Sequence, residues 1–321
     1  MLTNGGTAAA NTTAEQSAIR EDYWRSVAAN QRLGINSAGA LWDWLVSDDF
    51  EKLANWDLTA GENLFFRGQS DISYGLSSSL YRQLRAAKPN GKITELDLRA
   101  AEQAVVAAMR AEGLGRRMTD FELITVLQHH LMPTRLIDVS RSPLESLYFA
   151  VENNHGTDGV LFMINPKGTE ELRFDGPELP WSHFKAGEKN SDAAWTNTVT
   201  VAEHGSLDPR MRAQNGTFLV GGLFRSYGGM AMYNSAGNID SSVRTDVTTL
   251  AIQFMKRRES SYGVEWGAGG WVVRVEAAWK RELLGRLRDL PEPISEDTIY
   301  PAFAETARLA KHVIATTVST P

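Results

Sequence analysis

Residues 121–152, FELITVLQHHLMPTRLIDVSRSPLESLYFAVE, constrain the fold more than any other stretch of the chain. Gln128, His129, His130, Thr134, Arg135, Asp138 and Ser140 stand there between two apolar runs. Polar groups withdrawn from water need hydrogen-bond partners, so such a cluster inside an apolar frame builds either a site or a tight internal network. The residues alone leave both open.

Phe121, Ile124, Leu127 and Leu131 recur at spacings of three and four, which predicts an amphipathic helix with Asp120 as its N-cap. Met132 and Pro133 end it, because the residue before a proline is pushed out of the helical region. Thr134 to Val139, TRLIDV, alternates and is rich in branched residues, as a short strand requires. Ser140 is the expected N-cap of a second helix, with Pro143 near its first turn and Leu144, Leu147, Tyr148 and Val151 as its buried stripe. This order puts Arg135, Asp138 and Ser140 near the end of a strand, beside a helix N-terminus whose N–H groups favour an anion.

With 321 residues and 42% apolar content the chain can bury a real core. No run approaches a membrane span and the opening MLTNGGTAAANTTAEQ has neither a basic nor an apolar segment, so the expectation is a soluble cytoplasmic protein. The absence of cysteine excludes disulfides, thiolate metal sites and a thiol nucleophile, and the six histidines show no HxxxH or HExxH spacing, so no metal is expected. A net charge of −6 argues against a molecule that binds nucleic acid by bulk charge. The basic runs 110–117 and 256–258 read as solvated helix faces.

The rest of the chain reads as one domain, 37–321, behind an N-terminal extension, 1–36. Residues 1–14 read as a mobile tail, 15–32 as a helix, and Ser37 as the N-cap of a helix reaching Leu53. Leu64, Phe65 and Phe66 form a strand ending in Arg67, Gly68 and Gln69. An arginine at the end of a buried strand, followed by a glycine that admits a ligand to the backbone, suits a phosphate grip; pairing with Asp71 or Asp138 is the structural alternative. Residues 93–112 form an amphipathic scaffold helix and 167–197 a polar insert. Strands are expected at 159–165, 198–202, 209–220 and 270–277, an irregular glycine-rich stretch at 221–238, and helices at 278–289 and 302–315.

FFRGQ at 65–69, SSLYR at 78–82, QHHLMPTRLIDVSRSPLESLYFAV at 128–151 and RMRAQNGTF at 210–218, in that order, resemble the FRG domain, named for its Phe-Arg-Gly triplet, over about residues 37–312. Leu131 departs from that pattern, which carries a small residue after the two histidines. The resemblance implies a bacterial or phage-borne protein of the kind found near defence or toxin-like genes. The same blocks are also similar to toxin-type mono-ADP-ribosyltransferases: FFRGQ to their first strand with its arginine, TRLIDVSRSPLESLYFAV to their Ser/Thr strand and following helix, and AQNGTF to the later strand that carries a glutamate or glutamine.

That second similarity implies an α+β fold with a split β-sheet core, flanking helices and an N-terminal helical extension. It also implies NAD as co-substrate, no metal, and a toxin or anti-phage effector modifying RNA, DNA or protein, with an antitoxin or neutralising partner among its possible contacts. Arg67, with Gly68 and Gln69 beside it, would hold the diphosphate or ribose, assisted by Arg82 or Arg135. Thr134 and Ser140 would support the nicotinamide pocket, Asp138 would orient an arginine or act as base, and Gln214 would anchor the ribose, with Glu203 or Asp138 supplying charge. His130, rather than His129, is expected to face the pocket as a general base or as a partner of NAD, with a structural role in the turn as its alternative. The competing readings are a non-catalytic recognition module that grips a phosphate-bearing ligand or nucleic acid, and a metal-independent nuclease using His130.

Overall fold

The computed structural model describes residues 5–47, 50, 64–89, 91–167, 176–183, 195–202, 216–224, 233–235, 237–239, 241–254 and 266–300. Three helices open the chain: α1 (Gly5–Val27), α2 (Asn30–Leu33) and α3 (Ala38–Ser47). Strand β1 (Phe65–Gln69) is followed by α4 (Ser79–Ala87), α5 (Glu95–Ala111), α6 (Asp120–His129), β2 (Ile137–Ser140), α7 (Pro143–Val151) and β3 (Gly159–Pro166). After a short 3-10 turn at Pro180–His183 come β4 (Val199–Ala202), β5 (Gly216–Gly221), the ribbon of β6 (Tyr233–Asn234) and β7 (Gly237–Asn238), α8 (Ser241–Val247), β8 (Ile252–Gln253) and β9 (Ala268–Val275). A 3-10 turn at Ala277–Trp279 leads into α9 (Lys280–Arg288), and α10 (Glu296–Ile299) follows.

The fold is α+β around a nearly closed seven-stranded sheet in the order β4-β5-β2-β1-β3-β9-β8, antiparallel except for the β8–β9 pair. Strand β3, interior to the sheet, is buried along its whole length because both of its faces are covered. Val160, Phe162 and Ile164 point into one core cluster with Trp24 of α1, while Leu161 and Met163 point into another with Leu41 of α3, Leu147 of α7 and Leu283 of α9. That is why GVLFMIN reads as an unbroken apolar run rather than an alternating one. A third cluster joins Ile124 and Leu127 of α6 to Leu136, Phe218, Trp181 and Trp195.

Helix α1 begins at Gly5, inside the stretch read from sequence as a mobile tail, and it is not a detached extension. Trp24 is fully buried, its ring edge-on to Tyr23, Phe162 and Phe254 at 4.9, 4.9 and 5.1 Å, and its indole N–H donates to Tyr74 O. Helices α6 and α7 are capped by Thr119 and Ser142, not by the Asp120 and Ser140 expected from sequence. Thr119 forms a capping box with Glu122, and the Ser142 side chain accepts from Glu145 N. Ser140 is the last residue of β2, and that strand starts at Ile137 rather than Thr134. Helix α8 and strand β8 are elements the sequence pattern did not announce. The helix expected at 302–315 lies outside the described residues.

One buried cation pins two loops to a helix. Lys280 at the start of α9 is fully buried, and its ammonium donates to Ser70 O at 2.6 Å, Asn154 O at 3.0 Å and Asn153 O at 3.1 Å. It ties the exit of β1 and the α7–β3 turn to α9. Lys280→Met buries a side chain that cannot donate to these three carbonyls, so a loss of about 2 kcal/mol is expected from urea denaturation followed by circular dichroism. A midpoint equal to that of the wild type would show the carbonyls finding other donors.

Candidate functional site

Strands β1 and β2 meet at a single pair, Phe66 opposite Ser140, and then part. Past that pair a side chain takes over from the ladder: the Arg67 guanidinium donates to Asp138 O at 2.6 Å and stands 3.7 Å from the Asp138 carboxylate. A cavity of ≈ 220 Å³ opens at this parting. Arg67, Gly68, Gln128, His129, Asp138 and Ser140 are among its lining residues, with the apolar Phe66, Leu131, Val139 and Phe149, and Ser146 and Gly216 complete it.

The charges here are unevenly balanced. Burial pulls the Arg67 guanidinium below the ordinary arginine value, with Asp138 opposing, and its Nε is buried with no partner among the described residues. Arg82 bonds to Ser77 O and does not line the cavity, but it is near enough to feel Arg67. Partial desolvation and then the Arg67 charge lower its pKa, while Asp138 opposes. Asp138, with its side chain 52% exposed, also accepts from Gln128 Nε2 at 2.8 Å. Two arginines repelling one another beside a single shared carboxylate favour the arrival of an anion.

Of the residues singled out from sequence, Arg67, Gly68, Asp138 and Ser140 come together in this cavity. Ser140 Oγ accepts from Ser142 N at 2.9 Å and donates to the buried Glu145 carboxylate at 3.0 Å, so its hydroxyl is oriented by α7. Gly68 needs a different explanation from the one expected. A Cβ built there would stand 1.8 Å from Ser146 O and 2.7 Å from Ala150 N, so the missing side chain admits α7 to β1 rather than a ligand to the backbone.

Several expectations are corrected. Gln69 is buried away from the cavity, donating to Gly75 O. Thr134 is buried in the turn, where its hydroxyl donates to Gln128 Oε1 at 2.5 Å and accepts from Leu136 N, so it holds the turn and not a ligand. His129 lines the cavity, whereas His130 is exposed and does not, because the chain turns at the helix end and sends adjacent side chains apart. Gln214 and Glu203 lie outside the described residues, although Gly216, two positions after Gln214, lines the cavity.

Arg135 is the largest correction. It is buried and gives both ends of its guanidinium to carboxylates: Nε and one terminal nitrogen to Glu102 at 2.7 and 2.6 Å, and the other to Glu95 at 2.9 Å. Trp181 and Trp195, parallel to one another, lie 5.1 and 5.7 Å from its central carbon, and their indole N–H groups donate to Glu102 and Glu95. Arg99 adds a second cation on Glu95 at 3.0 Å. Every group is matched inside the protein, so Arg135 serves the fold. The polar insert 167–197 thus supplies two core tryptophans, and the α5 scaffold two buried carboxylates, Glu95 and Glu102, two turns apart on one helical face.

The site residues missed from sequence are Gln128 as the link between Thr134 and Asp138, and the apolar wall of Phe66, Phe149 and Leu131. The polar cluster at 128–140 carried the signal for Gln128. Nothing in the periodicity separates wall residues from core residues, since both belong to the apolar stripes.

No curated protein and no solved structure matches this chain. The model of the FRG domain matches residues 62–159, a shorter span than the 37–312 over which the sequence blocks suggested the resemblance. It runs from β1 to the first residue of β3 and takes in every described residue of the cavity except Gly216. Residues 62–159 of this chain match the FRG domain, and the Phe-Arg-Gly triplet sits at the mouth of the parted sheet.

Proposed function

We propose that the cavity between β1 and β2 binds NAD and that the protein transfers ADP-ribose from it to a macromolecular acceptor, RNA, DNA or protein, as a toxin or defence effector. The observation that carries this reading is Arg67, on the first core strand, facing Asp138 and Ser140 where the two strands part. Such a parted sheet, with arginine on one lip and serine on the other, supports an ADP-ribosyltransferase-like core. In the reaction the bond between the ribose and nicotinamide breaks, the bonding pair leaves with nicotinamide, and an acceptor oxygen or nitrogen bonds to the same ribose carbon while losing its proton. Arg67 neutralises the diphosphate, Ser140 positions the ribose side, and Asp138 holds Arg67 and, half exposed, receives the proton.

A second reading, a non-catalytic module for a phosphate-bearing ligand, is favoured by one feature. Among the described residues that line the cavity the carboxylate is Asp138, and it is already engaged with Arg67 and Gln128. Incubation with NAD labelled in the adenylate phosphate, alongside separate RNA, DNA and protein pools, tests both readings. The first predicts release of nicotinamide and label on one pool, with a fall of about a hundredfold for Arg67→Ala in protein whose circular dichroism is unchanged. Binding of NAD without release of nicotinamide supports the second, and no binding of NAD ends the first.

A further inference from the structure

Helix α6 closes with Leu131 N donating to Gln128 O at 3.0 Å and Met132 N donating to Leu127 O at 2.9 Å, the paired bonds of a Schellman turn. Leu131 holds the left-handed position of that turn, with φ at 60°, a conformation that a Cβ penalises and that glycine takes freely. Packing does not offset the strain, because Leu131 is 84% exposed. Yet the side chain lines the cavity, as do Phe149 and Phe66, opposite in character to Arg67 and Asp138. A large apolar side chain that is strained at its backbone and unburied within its own chain finds its use outside the chain.

We infer that Leu131 is a specificity-determining residue that packs against a planar heterocycle of a nucleotide whose phosphates Arg67 holds. This rests on the NAD reading above. The cavity's lining is mixed in the way such a ligand is mixed: Arg67, Asp138 and Ser140 offer charge and hydrogen bonds for phosphate and ribose, and Leu131 and Phe149 offer apolar surface for a flat ring. Adding Leu131 and Phe149 to the arginine distinguishes a nucleotide from a bare phosphate, which would need no apolar neighbours.

Two variants separate the side chain from the backbone strain. Leu131→Ala keeps the strained φ with a Cβ and removes the apolar contact; Leu131→Gly removes both. Titration calorimetry with NAD, ADP-ribose and inorganic diphosphate is the measurement. Both variants are expected to bind NAD about tenfold more weakly, equivalent to about 1.4 kcal/mol, and to bind diphosphate as the wild type does. Parallel weakening for ADP-ribose assigns the contact to adenine, and weakening for NAD alone assigns it to nicotinamide; either supports the inference. Leu131→Gly is also expected to melt about 2 °C above Leu131→Ala, so weaker binding would accompany higher stability, which a purely structural role does not give. Unchanged NAD affinity in both variants overturns the role of Leu131 and leaves the NAD reading standing. A wild type that binds no NAD ends both.

Discussion

Arg135→Met is expected to remove about 3–5 kcal/mol of stability, because it strips two buried carboxylates of the cation between them. Glu102 keeps only the Trp181 indole among its described donors, and Glu95 keeps Arg99, Trp195 and Leu223 N. Urea denaturation followed by tryptophan fluorescence reads the loss, since Trp181 and Trp195 flank the missing guanidinium. Neutralising the orphaned charges as well, with Glu95→Gln and Glu102→Gln, is expected to recover part of it. A single variant within 1 kcal/mol of the wild type, an interval on the order of ordinary surface changes, would mean that the cluster is not what holds α5 to the sheet.

The same network fixes the sign of a pH effect. Burial pushes the Glu95 carboxyl up, but Arg135 and the Leu223 and Trp195 N–H donors outweigh it, so the folded pKa lies below the ordinary 4.5. A lowered folded pKa means that this stabilisation is present above the ordinary value and is lost as pH falls through the folded one. The wild type is therefore expected to weaken in acid. In Arg135→Met burial is left with less opposition, so the acid loss from Glu95 shrinks, and denaturation midpoints across an acid series compare the two proteins.

Gly68→Ala is expected to cost about 3 kcal/mol, since its new Cβ meets backbone atoms of Ser146 and Ala150 that cannot rotate away. Helix α7 must retreat from β1, and because Gly68 and Ser146 both line the cavity, the cavity changes shape with it. The expected result is a lower midpoint in denaturant together with loss of NAD binding at temperatures where the variant is still folded. Normal stability would overturn the packing role assigned to this glycine. The triplet thus divides its work: Phe66 packs, Gly68 sets the helix distance, and Arg67 faces the cavity.

Local patterns carried much of this to the reader of the sequence. The helix, turn, strand, helix order of 121–152 is present, with boundaries shifted by one to three residues where Thr119 and Ser142 outcompete the caps next to them. Strands β3, β4 and β9 lie where branched and alternating residues put them. Short elements such as α8 and β8 escaped because two to seven residues hold too little periodicity to stand out.

The sequence by itself determined that polar groups would gather between residues 128 and 140 and that Arg67 would lie on a strand behind Phe65 and Phe66, since both are matters of spacing along one chain; the strand runs on to Gln69, so Arg67 is in its middle and not at its end. Tertiary structure alone decided which of those groups became a site. Arg67 and Arg135 are the same residue type, each on or beside a strand, yet one faces an open cavity with its Nε unpaired among the described residues while the other lies between two tryptophans and two glutamates. The difference comes from partners 33, 40, 46 and 60 residues away in sequence, in Glu102, Glu95, Trp181 and Trp195. An arginine's role follows from whether carboxylates reach it in the fold, and no local pattern encodes that distance.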